Sequence, residues 1–170
     1  MEENMKLIRF VATALVFCFI MCGCAKSSPD AYSLLCKLLS LSGEDTDGSG
    51  YIYSSSADTS SVEYLSPQTL ERLYGEVYAE NIAPLVEECA VFLSSRGGGE
   101  MAVFKCYSRS DADTVSKMLL ERADTLKVGL RNTQWEEKSR GIEIKIKGNY
   151  LLFCFVENVE QTVSEFLELI

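Results

Sequence analysis

Apolar and polar positions divide the second half of the chain into strands and helices. "EECAVFLSSRGGGEMAVFKCYS", residues 87–108, carries two stretches of alternating hydrophobicity around a glycine turn, the pattern of a β-hairpin. A two-residue loop at Gly97-Gly98 would set Cys89, Val91 and Leu93 opposite Cys106, Phe104 and Ala102 on one apolar face. Ala90, Phe92, Met101, Val103 and Lys105 then share the other face. "SDADTVSKMLLERADTLKVGL" predicts a helix capped by Ser110, with Asp113 three residues on and Val115, Met118, Leu119, Leu126 and Leu130 turned toward the sheet. A second hairpin follows in "GIEIKIKGNYLLFCF", where a Gly148-Asn149 turn places Ile142, Ile144 and Ile146 opposite Phe155, Phe153 and Leu151. "VEQTVSEFLELI" closes the chain as an amphipathic helix through Val159, Val163, Phe166, Leu167 and Ile170.

This ββαββα order predicts an α+β fold of two layers, one antiparallel sheet with its helices packed on a single face. Upstream, "AYSLLCKLLSL" spaces Leu34, Leu35, Leu38, Leu39 and Leu41 on one side of a short helix, and "SPQTLERLYG" is a helix with Ser66 at the N-cap, Pro67 in the first turn and Gly75 at its end. Between them lies a serine- and aspartate-rich segment with one short strand near Tyr51–Ser54. The outer sheet face raises a difficulty, because Phe92, Met101, Val103, Tyr150, Leu152 and Cys154 are together too apolar to stand in water. Either the chain's own residues 31–64 fold over this face or an envelope protein or ligand binds there.

The first residues change the picture. In "MEENMKLIRFVATALVFCFIMCGCAKSSPD", Lys6 and Arg9 precede an unbroken apolar run of 13 residues from Phe10 to Cys22, then the small Gly23. That is the layout of a secretory signal and falls short of the roughly 20 residues a bilayer-spanning helix needs. "MCGC" resembles the lipobox of bacterial lipoproteins, with Gly23 before the cleaved bond and Cys24 as the lipid-attachment residue, although Met21 stands where that pattern usually has leucine. Cys22 is the poorer candidate because bulky Met21 precedes it. The organisation expected is a signal over residues 1–23, a lipidated cysteine and tether over 24–30, a helix and Ser/Asp-rich segment over 31–65, and the α+β domain over 66–170. Such a protein would be held on the extracytoplasmic side of the cell membrane by its lipid.

Composition narrows the function classes. The 170 residues are 47% apolar with a net charge of −9. The signal removes Glu2, Glu3, Lys6 and Arg9, two of each sign, so the mature chain keeps the whole −9. Without a basic stripe to neutralise phosphates, nucleic acid is not an expected partner. No histidine is present, which removes the commonest near-neutral acid/base group and metal ligand together.

"LSPQTLERLYG", "AVFLSSRGGGEMAVFKCYSRSDADTV" and "IKGNYLLFCF" together resemble a lipoprotein family of clostridial-type Gram-positive bacteria built around a domain of unknown function. The resemblance covers nearly all of the mature chain and rests on the order of these blocks. It implies a cell-envelope location, an α+β fold and lipidation at Cys24; the family brings no catalytic residue or cofactor with it.

Each motif that could carry chemistry has a plainer account. "DTDGSGYIYSSS", read as a calcium loop from Asp45, places Asp47, Ser49 and Gly50 acceptably, but Ser56 stands where the bidentate carboxylate belongs. An acidic turn leading into a strand fits it better, and no metal or cofactor is expected. Cys36, Cys89, Cys106 and Cys154 remain after processing; Cys89 and Cys106, opposite in the expected register, are the pair placed for a disulfide, or else are core thiols. Their spacing contains no C-x-x-C pair. Glu87-Glu88 and Glu136-Glu137 are adjacent acids that point apart and read as surface charge, and Trp135 reads as a core cap or a carbohydrate-stacking ring. No catalytic residue is assigned. The functional expectation is a noncatalytic binding or interaction module; the alternatives are a thiol- or carboxylate-based envelope enzyme and a structural subunit of an envelope assembly.

Overall fold

A computed structural model describes residues 28–44, 50–75, 78–95 and 98–170. Its elements are α1 (Ala31–Leu39), β1 (Gly50–Ser54), α2 (Pro67–Tyr74), β2 (Val86–Ser94), β3 (Glu100–Cys106), α3 (Arg109–Gly129), the short α4 (Glu136–Arg140), β4 (Glu143–Lys147), β5 (Tyr150–Phe155) and α5 (Val159–Leu169). A single turn of wide helix and one of tight helix, Tyr78–Ile82 and Ala83–Leu85, lead into β2. The fold is α+β, built on a five-stranded sheet of order β1-β2-β3-β5-β4 in which every neighbour is antiparallel.

The second hairpin has the expected register, with Ile144 opposite Phe153, Ile146 opposite Leu151 and Gly148 at a φ of 60° in the turn. The first hairpin differs. Cys89 faces Phe104, Val91 faces Ala102 and Leu93 faces Glu100, two residues from the expected pairing. The Ser94 N–H donates to the Gly99 carbonyl at 2.9 Å, so the connection is longer than a two-residue turn. Its glycines serve another purpose: a Cβ on Gly98 would lie 2.6 Å from the Trp135 ring, and one on Gly99 would lie 2.6 Å from the Glu44 carboxylate. A slip of two residues keeps every side chain on its expected face, since strand alternation has period two. It does separate the cysteines: Cys106 lies across from Val86, beyond a bulge, and the four described cysteines are thiols.

The larger departure is in the layers. The expected single helical face is replaced by helices on both faces. Ala112, Val115, Leu119 and Ala123 of α3, with Leu70 of α2, pack against Val91, Ala102, Phe104, Leu151 and Phe153. On the opposite face, Leu34, Leu35, Leu38 and Leu39 of α1 and Phe166 of α5 bury Phe92, Met101, Val103, Tyr150, Leu152 and Cys154. The reason lies in the central strands: β3 and β5 are apolar on both faces, α3 already occupies the inner one, and α5 with α1 covers the outer one. Of the two occupants expected for the outer sheet face, the chain itself is the one found: α1, from the 31–64 segment, fills it together with α5 and leaves no room there for an envelope protein or ligand.

Local signals agree with these placements. Asp30 caps α1 by accepting from the Ser33 N–H at 2.8 Å, and Ser66 caps α2 as expected. The cap of α3 is Ser108, accepting from the Asp111 N–H at 3.1 Å, two residues before the expected Ser110. Both serines have an aspartate three residues on, and the earlier start adds Ala112 to the buried face. Gly50 has its own requirement, because a Cβ there would lie 2.1 Å from the Phe92 ring.

Leu35 is fully buried between α1 and the sheet. Leu35→Ala should destabilise the protein by about 2–5 kcal/mol, read as a lowered urea midpoint with unchanged slope. An unchanged midpoint would mean that residues 66–170 fold without α1.

Candidate functional site

The sheet has two distinct ends. One carries the β4–β5 turn at Gly148-Asn149, the last residue of α5's flank, Ile170, and the entry of the chain at Pro29, whose carbonyl accepts from the Tyr150 hydroxyl at 2.5 Å. The other carries the glycine connection between β2 and β3, Glu44, α4 and the start of α5. A cleft of about 350 Å³ opens at this second end, lined by residues that include Trp135, Lys138, Val156, Glu157 and Val159.

Its geometry is set by a cation held among carboxylates and rings. Trp135 follows α3 after a turn through Asn132, which has a φ of 61°, and the next helical turn, α4, projects Lys138 back toward the sheet. Lys138 Nζ donates to Glu44 Oε1 and lies 3.3 Å from Glu157 Oε1. It also sits 5.3 Å from the centre of the Phe155 ring and 5.7 Å from that of Trp135. Lys138 and Glu44 side chains are each only 9% exposed, whereas Glu157 is 57% exposed and forms the rim. Glu44 Oε1 accepts in addition from the Glu157 N–H at 3.1 Å. Lys138 Nζ and Glu44 Oε1 are thus engaged within the protein, and an aromatic ring beside the exposed Glu157 carboxylate lines the cleft. Such a surface can bind a ligand through stacking and hydrogen bonds; it offers no uncommitted nucleophile.

The sequence-derived candidates are dispersed. Gly23 and Cys24 lie outside the described residues, as do Asp45, Asp47 and Ser49 of the calcium-loop reading. Among the described residues no three acidic or thiol side chains come together to hold a metal. Glu87 pairs with Lys105 at 3.2 Å, while Glu88 accepts from the Ala31 N–H at 3.0 Å and so pins the start of α1. Glu136 and Glu137 both pair with Arg140, at 2.9 and 3.0 Å. The Asn132 N–H on its carboxylate, reinforced by Arg140, holds Glu136 below the usual carboxylate range. These acids are structural or surface groups. Trp135 does reach the cleft, with Gly98 seated against its ring.

The thiols are placed against reactivity. Cys89, Cys106 and Cys154 are at most 1% exposed. Burial pushes the Cys106 and Cys154 thiols up to about 12, and burial likewise raises the half-buried Cys36. A second buried ion pair, Arg122 Nη2 to Glu100 Oε2 at 2.7 Å, ties α3 to β3 beside a cleft of about 260 Å³. Burial pulls the Arg122 guanidinium down, but the charge and hydrogen bond of Glu100 outweigh it and leave it raised. A third, more apolar cleft of about 330 Å³ lies between α2 and β2, near Leu65, Leu70 and Cys89.

Sequence reasoning missed Glu44, Lys138 and Glu157. Glu44 and Lys138 are 94 positions apart, and no spacing rule joins them. The one available signal was the run Gly97-Gly98-Gly99, which marks a close approach as readily as a turn. No protein-family model, curated protein or solved structure matches the chain.

Two outcomes follow from this geometry. Glu44→Gln leaves Lys138 buried with only the rim carboxylate of Glu157, and should cost about 3–5 kcal/mol of stability in chemical denaturation. The buried thiols give an alkaline signature. A group whose folded pKa is raised keeps its contribution below its unfolded pKa and loses it as pH climbs through the folded value, so stability should fall between about pH 9 and pH 12. The combined Cys106→Ala and Cys154→Ala variant, less stable at neutral pH, should show a shallower decline over that window.

Proposed function

We propose that this chain is an extracytoplasmic lipoprotein, anchored through a diacylated Cys24, whose folded domain is a noncatalytic binding module of the cell envelope. One observation carries the reading: a basic pair, a 13-residue apolar run and the Met21-Cys22-Gly23-Cys24 sequence stand immediately ahead of a short polar stretch. Among the described residues, the first capped helix starts at Ala31 with Asp30 as its cap, after that polar stretch. Each buried methylene contributes about 0.8 kcal/mol to membrane affinity, and two acyl chains hold a protein stably where one holds it marginally.

The binding role is supported by the chemistry of the described side chains. The cleft beside Trp135 pairs an aromatic surface with the exposed Glu157 carboxylate, and its lysine is already bonded to two carboxylates. Three of the four described thiols are buried and the adjacent acids are held in local ion pairs. This arrangement favours recognition over bond-making. The net charge of −9 presents an acidic surface, which suits a polar or cationic envelope partner better than an anionic polymer.

Expression of the full chain in a lipidating bacterial host tests the anchor. The native protein should carry a diacylglycerol mass on Cys24 and enter the detergent phase on partition, and Cys24→Ala should remain in the aqueous phase. A native chain that stays aqueous and unmodified would sink the reading.

A further inference from the structure

We infer that the domain stands on the membrane with the Gly148-Asn149 end of its sheet toward the bilayer and the cleft at Trp135 turned outward. The inference rests on lipidation at Cys24, as proposed above, and adds to it which surface meets the lipid and which meets the envelope.

The geometry comes from where the fold takes hold of the chain. Pro29 is fixed by the Tyr150 hydroxyl on its carbonyl, and the next turn is fixed by Glu88 on the Ala31 N–H. Tyr150 begins β5 opposite Lys105, and Glu88 also pairs with Lys105, so both contacts lie at one end of the sheet. Pro29 is five steps along the chain from Cys24, and at about 3.6 Å each they reach at most about 18 Å. The Pro29 end therefore cannot move farther than that from the acylated sulfur.

The cleft lies at the other end. β3 runs from Glu100 to Cys106, a length of about 20 Å at 3.4 Å per residue. Trp135 sits against Gly98, just before the start of β3, while Tyr107 follows its end and the Cys106 N–H donates to Asn149 at 2.9 Å. The two side chains thus mark opposite ends of the sheet, with Tyr107 on the side of the tether. Tyr107 is 66% exposed, an aromatic ring with a polar tip of the kind that sits well at headgroup depth. α1 then runs away from the tether along the outer face, and its C-terminal side reaches the cleft end, where the Asn158 N–H donates to the Ser42 carbonyl at 2.8 Å.

Orientation here is imposed by the tether and not by charge. Lys105 at the near end is held by Glu87 and Glu88, Arg109 by Asp113, and Lys147 donates to the Leu167 carbonyl, so among the described residues no uncommitted polybasic patch forms there. The arrangement should accordingly be the same on zwitterionic and anionic lipid.

The single tryptophan makes the test direct. The full lipidated protein would be reconstituted in phosphatidylcholine vesicles, with and without phosphatidylglycerol, carrying a dansyl-labelled phospholipid as energy acceptor. Flotation of the vesicles reads anchoring, and transfer from tryptophan reads orientation. Native Trp135 should transfer weakly. Tyr107→Trp combined with Trp135→Phe should raise transfer severalfold, equally on both lipids; if Trp135→Phe impairs folding, Tyr107→Trp alone serves through its increment over the native signal. Protein that floats but transfers equally from both positions, or more strongly from Trp135, overturns the orientation while leaving the anchor intact. Native protein that fails to float overturns the anchor and the orientation with it.

Discussion

Burial of both faces of β3 and β5 is the constraint on which the rest of this structure depends. All six residues of β5 are buried, as are Glu100 through Phe104 of β3, so neither strand has a solvent side. A half-exposed antiparallel sheet would alternate apolar and polar positions; these strands do not, and each face needs its own helical cover. α3 covers one face, and α1 with α5 covers the other. At about 25 cal/mol per Å² of apolar surface, leaving the outer face open would remove one of the two principal sources of stability.

That requirement also disposes of the sheet edges. β4 reads EIKIK, with each residue only partly buried, and it closes one side of the sheet with Glu143, Lys145 and Lys147. Charged, short edge strands resist pairing with another chain. β1 closes the other side and is seated by Gly50, whose lack of a side chain makes room for the Phe92 ring. The glycine that looked like part of a calcium loop is thus explained by packing on the outer face.

The two ends of the sheet differ in how they are held. At the end that holds Pro29, the Tyr150 hydroxyl donates to the Pro29 carbonyl, the Glu88 carboxylate accepts from the Ala31 N–H and the Asn149 side-chain amide donates to the Cys106 carbonyl, fixing the start of α1 and the end of β3. At the cleft end, a nearly buried ion pair between Glu44 and Lys138 fastens the segment after α1 to α4. A buried pair of this kind adds little net stability over an apolar contact but penalises any arrangement that separates its partners, which makes it a device for specifying one packing. The glycines of the first hairpin fit the same end, because Trp135 and Glu44 come within a distance that only hydrogen at the α-carbon permits.

Apart from α4 and the helical turns before β2, the amino-acid sequence by itself determined the elements, namely the five strands and the four longer helices, together with the α+β class, the second hairpin's register and the faces of both hairpins. These follow from local periodicity, turn residues and caps such as Ser66, and periodicity survives even a two-residue slip. The apolar outer face was also legible as something that needed a cover. Tertiary structure alone decided that α1 and α5 provide it, that Cys89 lies opposite Phe104 and not Cys106, and that Glu44, Lys138 and Trp135 converge. Each of these depends on contacts between residues far apart in the chain, where the energy lies in mutual packing and charge, and no local pattern records which distant segment will supply the partner.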